Sequence, residues 1–137
     1  VTEDKFVPLI EMAKDALGQA YARYSNFRVG AAIQTPEGKL FAGCNIEISS
    51  YGLTVCAERV AIFKAISEGH RIFEVMAITA ETDNFCPPCG ACRQVLADFA
   101  PNLKIILVNK KGQTKETTLT HLLPEAFNPE FLLDTKR

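Results

Sequence analysis

Two short clusters concentrate the residues able to do chemistry. Cys89-Gly90-Ala91-Cys92 places two thiols three positions apart, and Cys56-Ala57-Glu58 places a thiol two positions before an acid. Residues three apart on a helix share a face, so Cys89 and Cys92 converge on one point if a helix starts there. The positive end of a helix favours the thiolate, which is the form that binds metal. Within a helix, Glu58 would diverge from Cys56 by about 200°. Both approach one ion only if it sits off the helix end, so the spacing predicts two helix N-termini pointed at one metal. Three thiolates suit zinc, which is four-coordinate, and leave a fourth position for water. Zinc brings the pKa of a bound water to about 7, and a carboxylate outside the metal shell can then move protons. Glu58 is the candidate for that work. A second arrangement stays open: Cys86 makes a further Cys-x-x-Cys pair with Cys89, and four sulfurs would close the site and make it structural. Against it, Pro87 and Pro88 stiffen the Cys86 segment, and a structural site gives Glu58 no purpose.

The elements that must position these groups follow from patterning. Phe6, Leu9, Ile10, Ala13, Leu17 and Ala20 share a helical face, so a helix is expected from Glu3 to about Ala20, with Thr2 as its N-cap. Residues 29–34 and 39–44 flank Thr35-Pro36-Glu37-Gly38 and read as a β-hairpin. A second helix is expected over 56–68, with Thr54 near its N-cap and Cys56, Val60 and Phe63 facing inward. A third is expected over 89–99, with Cys92, Val95, Leu96 and Phe99 inward. Residues 75–80 and 104–108 read as buried strands and 114–119 as a weaker one. A helical turn is expected at residues 121–124, then an extended tail. Helices alternating with strands predict a three-layer α/β/α domain around a mixed sheet of about five strands, a single domain over residues 1–137.

Composition narrows the function classes. Among 137 residues 47% are apolar, enough for a core, and the net charge is −1. There is no basic stripe to track a phosphate backbone, and no run of the roughly 20 apolar residues a membrane helix needs, so neither nucleic acid nor membrane is an expected partner. The first residues, Val1-Thr2-Glu3-Asp4-Lys5, carry no apolar stretch, so no signal peptide is expected there. The five cysteines are odd in number, three lying between Cys86 and Cys92, which suggests metal chemistry in a reducing, cytoplasmic compartment and not a disulfide framework.

The pattern Cys56-x-Glu58 followed by Pro88-Cys89-x-x-Cys92 resembles the zinc nucleobase-deaminase signature. Tyr24-Ser25-Asn26-Phe27, Asn45-Ile46-Glu47, Ser50 to Arg59, Cys89 to Gln94, and Leu122-Leu123-Pro124 with Phe127 extend the likeness to the small cytidine deaminases over nearly the whole chain. The resemblance implies hydrolysis of cytidine and 2′-deoxycytidine to the uridines and ammonia, with one zinc on Cys56, Cys89 and Cys92. Activated water would attack C4 of the base, and Glu58 would shuttle the protons. It further implies that the Ala57 N–H binds the base O2, that Asn45 and Glu47 hold the ribose 3′-hydroxyl, and that Phe27 packs on the pyrimidine. Phe127 would reach into a neighbouring subunit's site in a homotetramer. Arg59, one turn from Cys56, would donate to a thiolate sulfur and offset the net negative charge of a three-thiolate zinc, a role the family's arginine also plays. Arg28 and Ile48 depart from the family's usual proline and asparagine, which bears on how the entrance is lined. A blasticidin-S deaminase shares the zinc core and is the nearest alternative. A polynucleotide deaminase fits less well, and a non-catalytic zinc module is the alternative from another class. Cys44 and Cys86 read as spare or buried thiols, His70 as a surface residue, His121 as structural, and Lys110-Lys111-Gly112 as a solvated turn.

Overall fold

A computed structural model describes residues 4–133. Five strands form one sheet in the order β2-β1-β3-β4-β5. β1 (Val29–Gln34) and β2 (Leu40–Cys44) make the expected hairpin, paired from Gly30 with Cys44 to Gln34 with Leu40. Its turn is tied by the Thr35 side chain, whose Oγ1 accepts from Lys39 N at 3.0 Å. β3 (Val75–Ala80) runs antiparallel to β1 and parallel to β4 (Lys104–Val108), and β5 (Thr114–Thr118) closes the far edge antiparallel to β4. β3 is buried at every position, as a central strand covered on both faces must be.

Helices cover the two faces. α1 (Val7–Leu17) lays Leu9, Ile10 and Ala13 on one face, against Ala32, Ala77, Ile106 and Val108. α2 (Ala57–Ser67) and α3 (Gly90–Phe99) cover the other, where Ile62 and Leu96 meet Ile33, Met76, Ile78 and Ile105. Each such fully buried aliphatic side chain is worth about 1.5–3 kcal/mol. Two glycines set how close the helices come. A Cβ on Gly30 would lie 2.1 Å from Ala13 O, and one on Gly43 would lie 2.5 Å from both Ala57 O and Ala61 N. The three-layer α/β/α architecture around a mixed five-stranded sheet is as the sequence predicts.

Several local expectations change. α1 is shorter than expected, preceded by a 3₁₀ turn at Asp4–Phe6 and carrying Pro8 in its first positions; Thr2 and Glu3 lie outside the described residues. Thr54 does not cap α2: Cys56 holds the N-cap position, and Thr54 Oγ1 accepts from Ile48 N at 3.0 Å instead. Phe63 and Phe99 face outward, at 45% and 39% exposure, because the sheet is met by Ala57, Ala61, Ile62 and Ala65 on α2 and by Leu96 and Ala97 on α3. After the short α4 (Leu119–Leu122), the tail is not wholly extended but forms α5 (Pro129–Leu133), where Asn128 Oδ1 accepts from Glu130 N at 3.0 Å. That Asn-Pro-Glu start was a legible cap signal.

Candidate active site

The N-terminal ends of α2 and α3 bring three sulfurs together. Cys56 and Cys89 are the N-cap residues of these helices, both in extended backbone, and neither side chain caps its own helix. Their Sγ atoms face each other at 3.8 Å, and buried Cys92, in the first turn of α3, completes a trio whose sulfurs all lie within 4.8 Å of one another. A tetrahedral zinc with Zn–S bonds of about 2.3 Å separates its sulfurs by about 3.8 Å, so the Cys56–Cys89 spacing and the donor chemistry fit that ion. As a protein cluster the trio titrates unequally. The Cys56 thiol is drawn down to about 5, first by the hydrogen bond from Cys92 and then by Arg59 and Cys89, while Cys92, the donor, is pushed up. Cys86 stands outside the trio, with its Sγ 3.9 Å from Pro87 O; burial raises its thiol, and the negative charge of Glu58, Cys56 and Cys89 adds to that. Among the described residues the sulfur shell therefore has three members, and the four-sulfur arrangement is not formed.

Glu58 lies beside the trio but is not part of it. It is 5% exposed, and its carboxyl is raised to about 7, chiefly by burial and further by the Cys56 charge. Arg59 Nη2 donates to Cys56 Sγ at 3.5 Å, the contact its spacing predicts, while its Nε is buried without a partner.

Glu58, Cys56 and Cys89 open onto a cavity of about 270 Å³. Ala57 contributes to its wall at the first position of α2, where a backbone N–H has no acceptor within the helix. Phe27, 40% exposed, forms another side. Asn45 and Glu47, both buried, also line it. Asn45 knits the approach to β1, accepting from Val29 N and donating to Phe27 O, both at 2.9 Å. Glu47 Oε1 accepts from Tyr24 N and Ser25 N, both at 2.9 Å, and its Oε2 accepts from the Ser25 hydroxyl. These bonds, the Ser25 hydroxyl foremost, hold the Glu47 carboxyl below its ordinary value.

Some residues fall elsewhere, and some were missed. Phe127 is not brought to its own chain's cavity; it is exposed and stacks on Phe131 at 5.5 Å. Arg28 turns away to Glu81, with Nε 2.7 Å from Oε1, and Ile48 lines an apolar surface groove. Ser25, Thr54, Cys86 and Pro87 line the cavity although no part in binding substrate was expected of them. For Ser25 the signal was its place before Asn26, whose φ of 55° turns the chain so that Ser25 Oγ accepts from Phe27 N. His70 packs on Phe41 and lies 3.9 Å from Glu37, away from the sulfurs. The Lys110-Lys111-Gly112 turn is held by Asn109, whose Oδ1 accepts from Lys111 N and Gln113 N.

Comparison with known proteins places this geometry. The family model described as the cytidine and deoxycytidylate deaminase zinc-binding region matches residues 5–108, which contain all three sulfurs and Glu58. A cytidine deaminase of Sporosarcina psychrophila is 50% identical over 125 residues, 90% of this chain and 92% of that protein. The chain belongs to the cytidine deaminase family. Among solved structures of this family, the crystal structure of cytidine deaminase from Burkholderia pseudomallei superposes with a TM-score of 0.85 at 50% identity, covering 88% of this chain and 97% of that one. A blasticidin-S deaminase of Bacillus cereus is more distant, at 32% identity over 85% of this chain and 87% of its own length. The family is zinc-binding, and in this member the Cys56, Cys89 and Cys92 group is positioned to hold the ion. Among the described residues no helix is long and apolar enough to cross a membrane.

Proposed function

We propose that this chain, acting as one domain, hydrolyses cytidine and 2′-deoxycytidine to the corresponding uridines and ammonia. One observation carries the reading: a buried carboxyl, Glu58, shares a nucleobase-sized cavity with a three-sulfur metal group to which it does not belong. The cytidine deaminases at 50% identity support the substrate over a blasticidin-like nucleoside, and so does the buried Asn45–Glu47 pair in the cavity wall.

Cys56, Cys89 and Cys92 hold zinc as thiolates. When bound, zinc supplies the Lewis acidity that makes water nucleophilic at neutral pH. The chain's own groups do the rest. Phe27 packs on the pyrimidine, and the Ala57 N–H donates to O2, which orients C4 toward the sulfur group. Asn45 and Glu47 engage the ribose 3′-hydroxyl. Glu58 takes a proton from the attacking water and delivers it to N3. It then moves the second proton to the 4-amino nitrogen, which leaves as ammonia while the C4 oxygen becomes the carbonyl of uridine. A carboxyl balanced near neutrality suits both halves of this traffic. Arg59 donates to Cys56 and offsets the negative charge of three thiolates.

The test is Glu58→Gln in a cytidine absorbance assay with zinc counted per chain. Proton shuttling contributes about 10²–10⁴-fold per transfer, so turnover should vanish while zinc stays near one per chain. Full activity in Glu58→Gln would remove Glu58 from the mechanism, and equal turnover of blasticidin S by the wild type would overturn the substrate assignment.

The exposed apolar groove of Ile46, Ile48, Leu53, Val55 and Phe63 supports self-association, which we take to be a homotetramer. Exposed Phe127 then reaches a neighbouring subunit's cavity. A cytoplasmic location and a place in pyrimidine salvage complete the proposal.

A further inference from the structure

The sheet edge shows a second polar site that deamination does not use. β5 pairs with β4 so that Lys115 lies opposite Leu107 and Thr117 opposite Ile105. Leu107 and Ile105 belong to the face covered by α2 and α3, so Lys115 and Thr117 project to that same side. Glu116, between them, projects to the other side and meets Lys104 at 3.8 Å. The space under the α3 side of this edge is a cavity of about 200 Å³, lined by Lys115, Thr117, Arg93 and His121 over an apolar floor that includes Phe85 and Leu107, with no carboxylate in its wall.

Arg93 is the key to its chemistry. This half-buried guanidinium donates Nε to Pro88 O at 2.7 Å and Nη1 to Leu122 O at 2.8 Å. A guanidinium has five N–H donors, so three remain, and no acid partner meets them among the described residues. Lys115 and the His121 ring likewise have no partner among the described residues. In a chain of net charge −1, two unpaired cations, an imidazole and a hydroxyl around one apolar-floored cavity are a local arrangement and not a general basic surface. A charge partly removed from water needs a counter-charge, and Arg with Lys is the donor set for phosphate oxygens. At about 200 Å³ the cavity is smaller than the 270 Å³ of the deaminase cavity, which suits a phosphate group and not a whole nucleotide.

We infer that this cavity is an anion site for a phosphate group, free or carried by a small sugar. It is separate from the deaminase cavity but shares a wall with it: Pro87 lines both, and the carbonyl that Arg93 holds is that of Pro88, next to Cys89.

The experiment titrates the zinc-loaded wild-type protein by calorimetry with inorganic phosphate and, separately, ribose 5-phosphate, at constant ionic strength set with chloride. Each titration is repeated with saturating uridine to fill the deaminase cavity. The second protein is Lys115→Gln/His121→Gln, two exposed positions whose replacement leaves the core untouched and cytidine turnover unchanged. The inference expects saturable binding of at least one anion that survives uridine and weakens about tenfold or more in the double variant, as loss of charge-assisted hydrogen bonds predicts. Binding of phosphate alone would make the free ion the ligand, and stronger binding of ribose 5-phosphate would assign the sugar ester. No saturable binding of either, binding unchanged in the double variant, or binding abolished by uridine would each overturn it.

Discussion

Gly43 gives the most direct test of how the fold builds the site. It lies on β2 under the first two turns of α2, and a Cβ there would sit 2.5 Å from Ala57 O and Ala61 N and 3.0 Å from Val60 Cβ. Ordinary contact begins at 3.4 Å, so Gly43→Ala is short of room by about 0.9 Å against backbone that cannot rotate away. α2 must then rise off the sheet by several tenths of an ångström. Cys56 and Glu58 ride on its first turn, whereas Cys89 and Cys92 are fixed to α3. Overpacking of this kind costs about 1–3 kcal/mol, which lowers the thermal midpoint by roughly 2–4 °C per kcal/mol in a chain near this size. Misplacing reacting groups by about 1 Å costs on the order of 10²-fold in rate. The assays are thermal unfolding, zinc per chain and cytidine turnover, with Gly52→Ala as control because nothing lies within 4 Å of a Cβ there. The control should match wild type while Gly43→Ala loses both midpoint and rate. A Gly43→Ala protein with unchanged midpoint, zinc and kcat would refute the claim that close approach of α2 to β2 aligns Cys56 and Glu58.

Arg59→Ala should lower kcat more than it lowers folding stability, since it removes the donor to Cys56 Sγ; normal turnover with intact zinc would count against that role. Cys86→Ser should retain one zinc per chain on quantification, because Cys86 stands outside the sulfur trio. Glu47→Gln should destabilise the protein at neutral pH, since an amide cannot accept from Tyr24 N, Ser25 N and the Ser25 hydroxyl as a carboxylate does. The Glu47 carboxyl is held low in the folded protein, so its contribution is full above the ordinary carboxylate range near 4 and is lost as pH falls through the lower folded value. The midpoint gap between wild type and Glu47→Gln, measured against pH, should therefore close on acidification.

The metal group was readable from sequence because its logic is local. Cys89 and Cys92 share a helix face by spacing alone, and an acid two positions after Cys56 needs a metal off the helix end to make sense. The sheet was readable too, since continuous apolar runs at 75–80 and 104–108 mark strands covered on both faces. The inward faces of α2 and α3 were only partly so: Cys92 and Leu96 are buried as expected. Hydrophobic spacing pointed Phe63 and Phe99 to the core, but the faces that dock are those of Ala61, Ile62 and Ala65 on α2 and of Leu96 and Ala97 on α3. Whether Cys86 joins the metal was also open in one dimension, because Cys-x-x-Cys spacing recurs at 86–89 and 89–92.

By itself the sequence determined which sulfurs can bind a metal and that helices alternate with strands around a mixed sheet. Folding in three dimensions decided that Cys56 reaches Cys89 across 33 positions while Cys86 is left aside, that Glu47 is met by Ser25, and that Arg93, Lys115 and His121 share one cavity. The physical reason is range: helix and strand periodicity fix neighbours within a few residues, whereas contacts between distant segments depend on how closely whole elements dock, and here that distance is set by the missing side chains of Gly30 and Gly43.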